Sequence, residues 1–249
     1  MTPIEPGKGQ PAPLTFSMES ADLEEFARPG DQLAQLGVRQ TVAFFGSALI
    51  GVRSQRYVTS GSVQATPALD LYLEAAETLA EALAAWEGQG PDVARQYIVC
   101  TGGGPGIMEA ASRGARRGGG FALGHTIELP HEPEPNPHIA PGWEVHFRHF
   151  SARKHWFFRT ARALVVFPGG LGTLDEWVEF LVLRLTGKLP EIPALAYGRA
   201  FWEEVLNLEA LVRQGLVSER VYDLFEWADT PEEAFAWLTR VLPPLSGEA

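Results

Sequence analysis

Apolar residues recur along the chain in two alternating patterns. Short apolar runs, typical of buried parallel strands, lie at 40–45, 97–100, 121–127, 143–147, 163–167 and 192–197. Between them, apolar residues recur at helical spacing over 67–86, 105–117, 151–160, 173–186 and 201–213. This alternation predicts an α/β fold: a doubly wound, Rossmann-like parallel sheet with helices on both faces.

The two ends of the chain differ in character. Residues 1–16 are rich in proline and predict a flexible N-terminal extension, and residues 18–36 predict a helical lead-in. Residues 17–249 are interpreted as a single Rossmann-like nucleotide-binding domain. Near the C-terminus, Thr230-Pro231-Glu232-Glu233 combines an N-cap threonine, an N1 proline and a capping-box glutamate, which predicts a last helix ending near Val241.

Composition narrows the functional classes. The chain has 249 residues, 45% of them hydrophobic and 20% charged, and no apolar run long enough to span a bilayer. Its start does not resemble a secretory signal, so a cytoplasmic protein without membrane contact is expected. Cys100 is the only cysteine, which excludes an internal disulfide and a multi-cysteine zinc site. A net charge of −11 disfavours a nucleic acid polymer as partner.

One segment could still attract a small anion. Within the acidic chain, five cations fall close together: Arg148, Arg153, Lys154, Arg159 and Arg162. They surround a run of aromatic residues that we interpret as core or subunit-interface side chains: Trp143, Phe147, Phe150, Trp156, Phe157 and Phe158.

Two glycine-rich turns follow predicted strands and precede predicted helices. The first contains Gly102, Gly103, Gly104 and Gly106, and the second contains Gly169, Gly170 and Gly172 with the Thr173 hydroxyl at the helix start. Glycine lets the backbone approach an anion while helix N–H groups point at it, so phosphate is the expected guest. Glycine also serves any tight strand-to-helix turn. Neither turn matches a dinucleotide or P-loop fingerprint.

Glu176 is open to two interpretations. Thr173-Leu174-Asp175-Glu176 fits a capping box, and Asp175 fits a first-turn acid favoured by the helix dipole. A carboxylate one turn from a phosphate loop is equally well placed to act on a ribose. Glu109 follows the other loop in the same way, so an acidic pair across the crevice is conceivable.

The two turns together resemble a known family. TGGGPGIMEA at 101–110 and PGGLGTLDE at 168–176 are similar to the paired signatures of the LONELY GUY proteins, cytokinin riboside 5′-monophosphate phosphoribohydrolases long labelled "possible lysine decarboxylase". LPHEPEPNPHIAP, FSARKHWFFRTARALVVFPGG and PALAYGRAFW also resemble the longer bacterial members. The resemblance covers about residues 41–236.

The resemblance implies a site and a reaction. Glu176 and Arg153 match the family's catalytic pair, which cleaves the N-glycosidic bond of a nucleoside 5′-monophosphate such as AMP or a cytokinin riboside monophosphate, without a cofactor or metal. It also implies a homodimer or higher homo-oligomer. The base is left open by Leu171 and by the turn at 46–48. The substrate-binding residues implied are Ser47, Gly102, Gly103, Gly104, Gly106, Met108, Glu109, Lys154, Gly169, Gly170, Gly172 and Thr173.

Three alternatives compete with this function. Lysine decarboxylation needs a Schiff-base lysine for pyridoxal phosphate, and the chain offers only Lys8, Lys154 and Lys188. A non-catalytic nucleotide or molybdenum-cofactor carrier would use the same loops, but would not require Arg153 and Glu176. Five histidines fit no closed zinc site and are expected at the surface or in the crevice: His131, His138, His146, His149 and His155.

Overall fold

A computed structural model describes residues 20–51, 67–86, 88–90, 92–128 and 134–245. The predicted N-terminal extension, residues 1–16, lies outside the described residues, as does His131.

The described residues form strands and helices in alternation. The strands are β1 (Thr41–Phe45), β2 (Ile98–Thr101), β3 (Ala122–Ile127), β4 (Glu144–Phe147), β5 (Ala161–Val166), β6 (Ala194–Tyr197) and β7 (Glu226–Ala228). The α-helices are α1 (Ser20–Gln35), α2 (Pro67–Ala84), α3 (Ile107–Arg117), α4 (Phe150–Thr160), α5 (Leu171–Leu185), α6 (Arg199–Val205), α7 (Leu208–Arg213) and α8 (Pro231–Val241). Short 3-10 helices occupy Val93–Arg95 and Glu219–Leu224.

All seven strands are parallel and follow the order β4-β3-β2-β1-β5-β6-β7. The predicted doubly wound, Rossmann-like fold is therefore confirmed. The chain moves outward from β1 to β4, then returns to place β5 on the other side of β1. This reversal makes the boundary between β1 and β5 the topological switch point, where ligands bind in folds of this type. Within the described part of the chain, no helix is long and apolar enough to cross a membrane.

The sheet separates two apolar layers. Along β1, Val42 and Phe44 pack into one layer, and Ala43 and Phe45 into the other, because successive side chains alternate across a sheet. Side chains from α2, α3 and α8 cover the first layer. Side chains from α1, α4, α5 and α6 cover the second.

The aromatic helix α4 belongs to the core. Trp156, Phe157 and Phe158 are all buried, at 5% exposure or less. They pack inside a single copy of the chain, so they do not offer the subunit interface considered from the sequence. Phe150, at the start of the same helix, is 44% exposed.

Two predictions for the C-terminal third need correction. The single helix predicted over 201–213 is two helices: α6 ends with Leu206 as its C-cap, and Asn207 caps α7 by accepting a hydrogen bond from the Ala210 N–H at 2.8 Å. The short edge strand β7 was not predicted. The capping box at Thr230 and Glu233 is confirmed, with both of its hydrogen bonds present.

Helices α2 and α3 approach closely because glycine faces the contact. A Cβ atom at Gly114 would overlap the backbone carbonyl oxygen of Glu77. Around this contact, the Glu77 carboxylate pairs with Arg113 at 2.7 Å and with Arg117 at 2.8 Å. The close approach therefore depends on the missing side chain at Gly114.

Gly114→Ala should lower the free energy of unfolding by about 1–3 kcal/mol, since α2 and α3 must separate to admit the methyl group. Gly172→Ala is the matched control, because a Cβ at this helical glycine would meet no atom within 4 Å. That variant should be neutral or more stable by up to about 1 kcal/mol. Urea unfolding of both variants measures the difference, and equal stabilities would contradict the packing argument.

Candidate active site

The loops after β1, β2 and β5 meet at the carboxyl edge of the sheet. The Phe167 N–H donates to the Phe45 carbonyl at 2.8 Å, and the Ser47 N–H donates to the Pro168 carbonyl at 3.1 Å, so β1 and β5 stay joined beyond their ends. The Ile107 N–H donates to the Ser47 carbonyl at 3.0 Å. Ser47 thus lies between the two glycine-rich loops, on the backbone that links them.

The first glycine-rich loop is held by its neighbours. Gly103 and Gly106 have φ angles of 76° and 67°, a conformation that favours glycine. The Gly103 N–H donates to Thr101 Oγ1 at 3.1 Å, and the Asn136 side chain donates to the Gly103 and Gly104 carbonyls, each at 3.1 Å. Several polar groups of this loop therefore already have partners within the protein.

The second glycine-rich loop is open. Helix α5 begins at Leu171, whose side chain is 85% exposed, and Cβ atoms at Gly170 and Gly172 would meet nothing within 4 Å. The first N–H groups of a helix lack partners in the helix itself and carry partial positive charge. Gly169 must be glycine, because a Cβ there would overlap the buried side chain of Thr173. The geometry fits an anion site at 169–173.

The capping interpretation of Glu176 is wrong. The N-cap of α5 is Gly170, so Thr173 is the third helical residue and Glu176 the sixth. A capping box needs its glutamate at the third helical residue, so Glu176 lies too far along the helix to accept from the N-cap N–H of Gly170. The Glu176 side chain is instead directed towards α4.

Arg153 of α4 and Glu176 of α5 form a buried ion pair. Arg153 Nη2 donates to Glu176 Oε1 at 3.2 Å, and the two side chains are only 11% and 10% exposed. The guanidinium also lies over the rings of Phe150 and Phe157, with its carbon 5.0 and 5.9 Å from the ring centroids. A Cβ at Gly102 would lie 3.6 Å from Arg153 Nη1, so the pair borders the first glycine loop.

Burial raises the pKa of Glu176 to about 7, although the Arg153 charge acts to lower it. A carboxyl group whose pKa lies near neutral pH exchanges protons at low free-energy cost, as a general acid or base must.

Burial and the Glu176 charge also raise the pKa of the Cys100 thiol well above its usual range. Cys100 is therefore an unreactive buried thiol beside the pair.

The Lys154 ammonium already pairs with two carboxylates of the protein. Its Nζ lies 2.9 Å from Asp175 Oδ1 and 2.5 Å from Glu179 Oε2. Burial lowers the pKa of Lys154, but the hydrogen bonds that its ammonium donates to Glu179 and Asp175 outweigh this effect and raise it overall. Its predicted role in substrate binding would require the ammonium to exchange these carboxylates for a ligand.

The other predicted site residues border the first loop. The Met108 side chain lies against Gly102 and Gly104, where added Cβ atoms would come within 2.8 and 2.7 Å of it. The Glu109 carboxylate lies 3.9 Å from His138 Nε2. The structure thus brings Glu109 to a histidine, and Glu176 to an arginine.

The cluster of cations carries less free charge than the sequence indicated. Arg148, Arg153 and Lys154 each pair with a carboxylate, namely Glu25, Glu176 and Asp175.

Over residues 20–51, 67–86, 88–90, 92–128 and 134–245, no group of three or more histidine, cysteine, aspartate or glutamate side chains could hold a metal ion.

Three contributors to the site were missed. Asn136 ties the first loop to the proline-rich segment, and its setting between two prolines was the available signal. Trp202 Nε1 donates to the carbonyls of Val166 and Tyr197, at 3.2 and 3.0 Å, and so holds the end of β5 just before the second loop.

The third missed residue, His125, is fully buried on β3 beside the rings of Phe147 and Phe157, with centroids 5.5 and 4.7 Å away. Neither ring nitrogen has a hydrogen-bond partner among the described residues. Burial, together with the Arg153 charge, lowers the pKa of His125 to about 3.

Sequence comparison assigns the chain to a family. The family described as "Possible lysine decarboxylase" matches residues 108–238, just over half of the chain, including the Arg153–Glu176 pair and the second glycine loop. The protein therefore belongs to this family. No curated protein matches the sequence.

A solved structure, that of TM1055, supports the fold. The X-ray structure of TM1055 is similar to 81% of this chain and 99% of its own, with 23% identity and a TM-score of 0.50. The molybdenum cofactor carrier protein from Chlamydomonas reinhardtii is similar to 81% of this chain and 98% of its own, with 19% identity and a TM-score of 0.49.

The buried His125 predicts a pH-dependent stability difference. Its pKa is depressed in the folded protein, so the unfolded chain binds a proton that the folded chain does not, and its contribution to stability is lost as pH falls below about 6.5. Glu176 contributes in the opposite direction, because its folded pKa is raised. The informative quantity is thus the difference in unfolding free energy between wild type and His125→Leu at each pH.

Between about pH 7 and pH 5, wild type should lose about 2 kcal/mol of unfolding free energy relative to His125→Leu. Denaturant unfolding at the two pH values measures this difference. Parallel pH dependence of the two proteins would show that His125 is not held neutral.

Proposed function

We propose that the protein hydrolyses the N-glycosidic bond of a nucleoside 5′-monophosphate, AMP or a cytokinin riboside monophosphate, giving the free base and ribose 5-phosphate. The observation that carries this proposal is the buried Arg153–Glu176 pair next to the open N-terminus of α5. Family membership agrees with it, since the family resemblance identified from the motifs implies the same reaction.

The anion site supplies the binding energy. N–H groups at 169–173 would hold the 5′-phosphate, with the helix dipole of α5 favouring its negative charge. Fixing a phosphate remote from the reacting bond positions C1′ of the ribose. Free nucleosides should therefore react poorly.

Glu176 is proposed as the catalytic carboxylate. As the bond from C1′ to the base breaks, the ribose acquires oxocarbenium character, which an ionised carboxylate stabilises. Glu176 can also take a proton from the attacking water, whose oxygen becomes the new C1′ hydroxyl; the departing base gains a proton from solvent, and Glu176 returns its own proton to solvent. Arg153 orients the carboxylate and would contact the phosphate or ribose.

Lysine decarboxylation is disfavoured by the environment of Lys154. A Schiff-base lysine must present an uncharged amine, which a lowered pKa favours. Lys154 instead makes ion pairs with Asp175 and Glu179 that raise its pKa. Lys188 is exposed beyond the end of α5, and Lys8 lies outside the described residues.

The assembly implied by the resemblance, a homodimer or higher homo-oligomer, is part of this proposal. Since Trp156, Phe157 and Phe158 of α4 are buried, the apolar side chains available for such a contact include the exposed Leu171, Val178 and Val182 of α5.

A chromatographic assay over a panel of nucleoside 5′-monophosphates tests the activity. Wild type should release free base from at least one of them, and Glu176→Gln should lower kcat/KM by about 100-fold or more, since it removes the ionisable group. Asp175→Asn is the matched control, because it makes the same chemical change at a neighbouring residue that is half exposed.

The control should keep its activity within about threefold, as expected for a surface ion pair. Nucleotide binding without release of base would favour the carrier alternative, of the kind named for the Chlamydomonas structure. An aldimine absorbance band with pyridoxal phosphate would instead favour a decarboxylase.

The pH dependence of kcat/KM tests the protonation state of Glu176. Since the ionised form is proposed to act and the pKa is raised to about 7, activity should rise with pH and level off above that value. Activity that falls as pH rises through about 7 would show that the protonated carboxyl is the active form.

A further inference from the structure

Helix α1 lies outside the family segment, yet it contacts the helix that carries Arg153. Phe26 packs edge-on against His155, with ring centroids 5.6 Å apart. A Cβ at Gly30 would lie 3.2 Å from the ring of Trp156, and Leu33 is buried in the same core layer. Helix α1 therefore packs against α4 at His155 and Trp156.

Helix α1 also makes a set of polar contacts through Glu25, whose side chain is 6% exposed, with the two residues that precede α4. Its Oε1 accepts hydrogen bonds from the backbone N–H and Nε of Arg148, at 2.9 and 3.1 Å. Its Oε2 lies 3.2 Å from the donating N–H of His149 and 3.0 Å from the His149 ring Nδ1. Burial raises the pKa of Glu25, but these hydrogen bonds lower it overall.

His149 is the N-cap residue of α4, and its own side chain makes no capping bond. Glu25 therefore places a carboxylate at the start of α4, where the helix dipole favours negative charge. The carbonyl of His149 accepts the N–H of Arg153 at 3.1 Å, which is a first-turn bond of α4. The contacts thus run without a break from Glu25 through His149 and Arg153 to Glu176.

We infer that Glu25 is a positioning residue: by holding Arg148 and His149 from α1, it fixes the first turn of α4 and so the placement of Arg153 against Glu176. Its effect on turnover rests on the proposed function, whereas its effect on the backbone does not. Glutamine at this position keeps the shape of the side chain but presents an amide donor to groups that are themselves donors.

The experiment compares three variants of the full chain with wild type. Glu25→Gln removes the carboxylate, Glu24→Gln makes the same change at an exposed neighbour on α1, and Leu33→Ala weakens the packing of α1 without altering Glu25. Hydrogen–deuterium exchange of the amides at 149–154 reports the order of the first turn directly, whether or not the protein turns over a nucleotide.

Glu25→Gln should speed this exchange by about tenfold or more, with much smaller changes in the other two variants. It should also lower kcat/KM for the nucleotide hydrolysed by wild type by about tenfold, because small displacements of a catalytic group are costly. If the amides at 149–154 of Glu25→Gln exchange at the wild-type rate, the inference is overturned. Equal acceleration in Leu33→Ala would also overturn it, since Glu25 would then act only by docking α1.

If wild type hydrolyses no nucleotide, the proposed function fails, while the exchange result still decides the role of Glu25. If wild type is active and Glu25→Gln exchanges faster but keeps full activity, the placement of Arg153 does not depend on Glu25 and the inference is wrong.

Discussion

The buried ion pair between Arg153 and Glu176 is the contact on which the arrangement of the carboxyl edge depends. A carboxylate taken out of water is strongly unfavourable unless a partner is fixed beside it. Here the partner is fixed by its stacking against Phe150 and Phe157 and by its place in the first turn of α4. The pair also joins α4 to α5, alongside the ion pairs that Lys154 makes with carboxylates of α5. Its geometry therefore requires that α4 and α5 both begin at defined residues.

The sequence predicted the fold because the period of its apolar positions is unambiguous where elements are long. It failed where a short-range pattern was ambiguous. The residue types at Thr173 and Glu176 fit a capping box. However, the N-cap of α5 is Gly170, so both residues lie inside the helix. The break at Asn207 was missed because apolar residues continue through it. Strand β7 has three residues, too few for a period to be recognised.

The candidate site was predicted in part. Arg153 and Glu176 were identified from the family resemblance, and the structure places them in contact. Lys154, next in the chain, pairs with other carboxylates of α5 than Glu176, because successive helical residues project about 100° apart. His125 and Asn136 reach the site from β3 and from the loop before β4, and no local pattern relates such residues to a loop more than twenty positions away. Tertiary contacts of this kind appear only once the sheet order is known.

The two glycine-rich loops look alike in sequence, yet they differ in how much of their backbone is free. The lone thiol, Cys100, lies one residue before the end of β2, just ahead of the first glycine-rich loop, and has no exposure to solvent. Its raised pKa keeps it in the unreactive thiol form while the sheet is intact. Alkylation of this single sulfur therefore requires the core to open. The rate of alkylation thus reports how often the layer beneath the site opens.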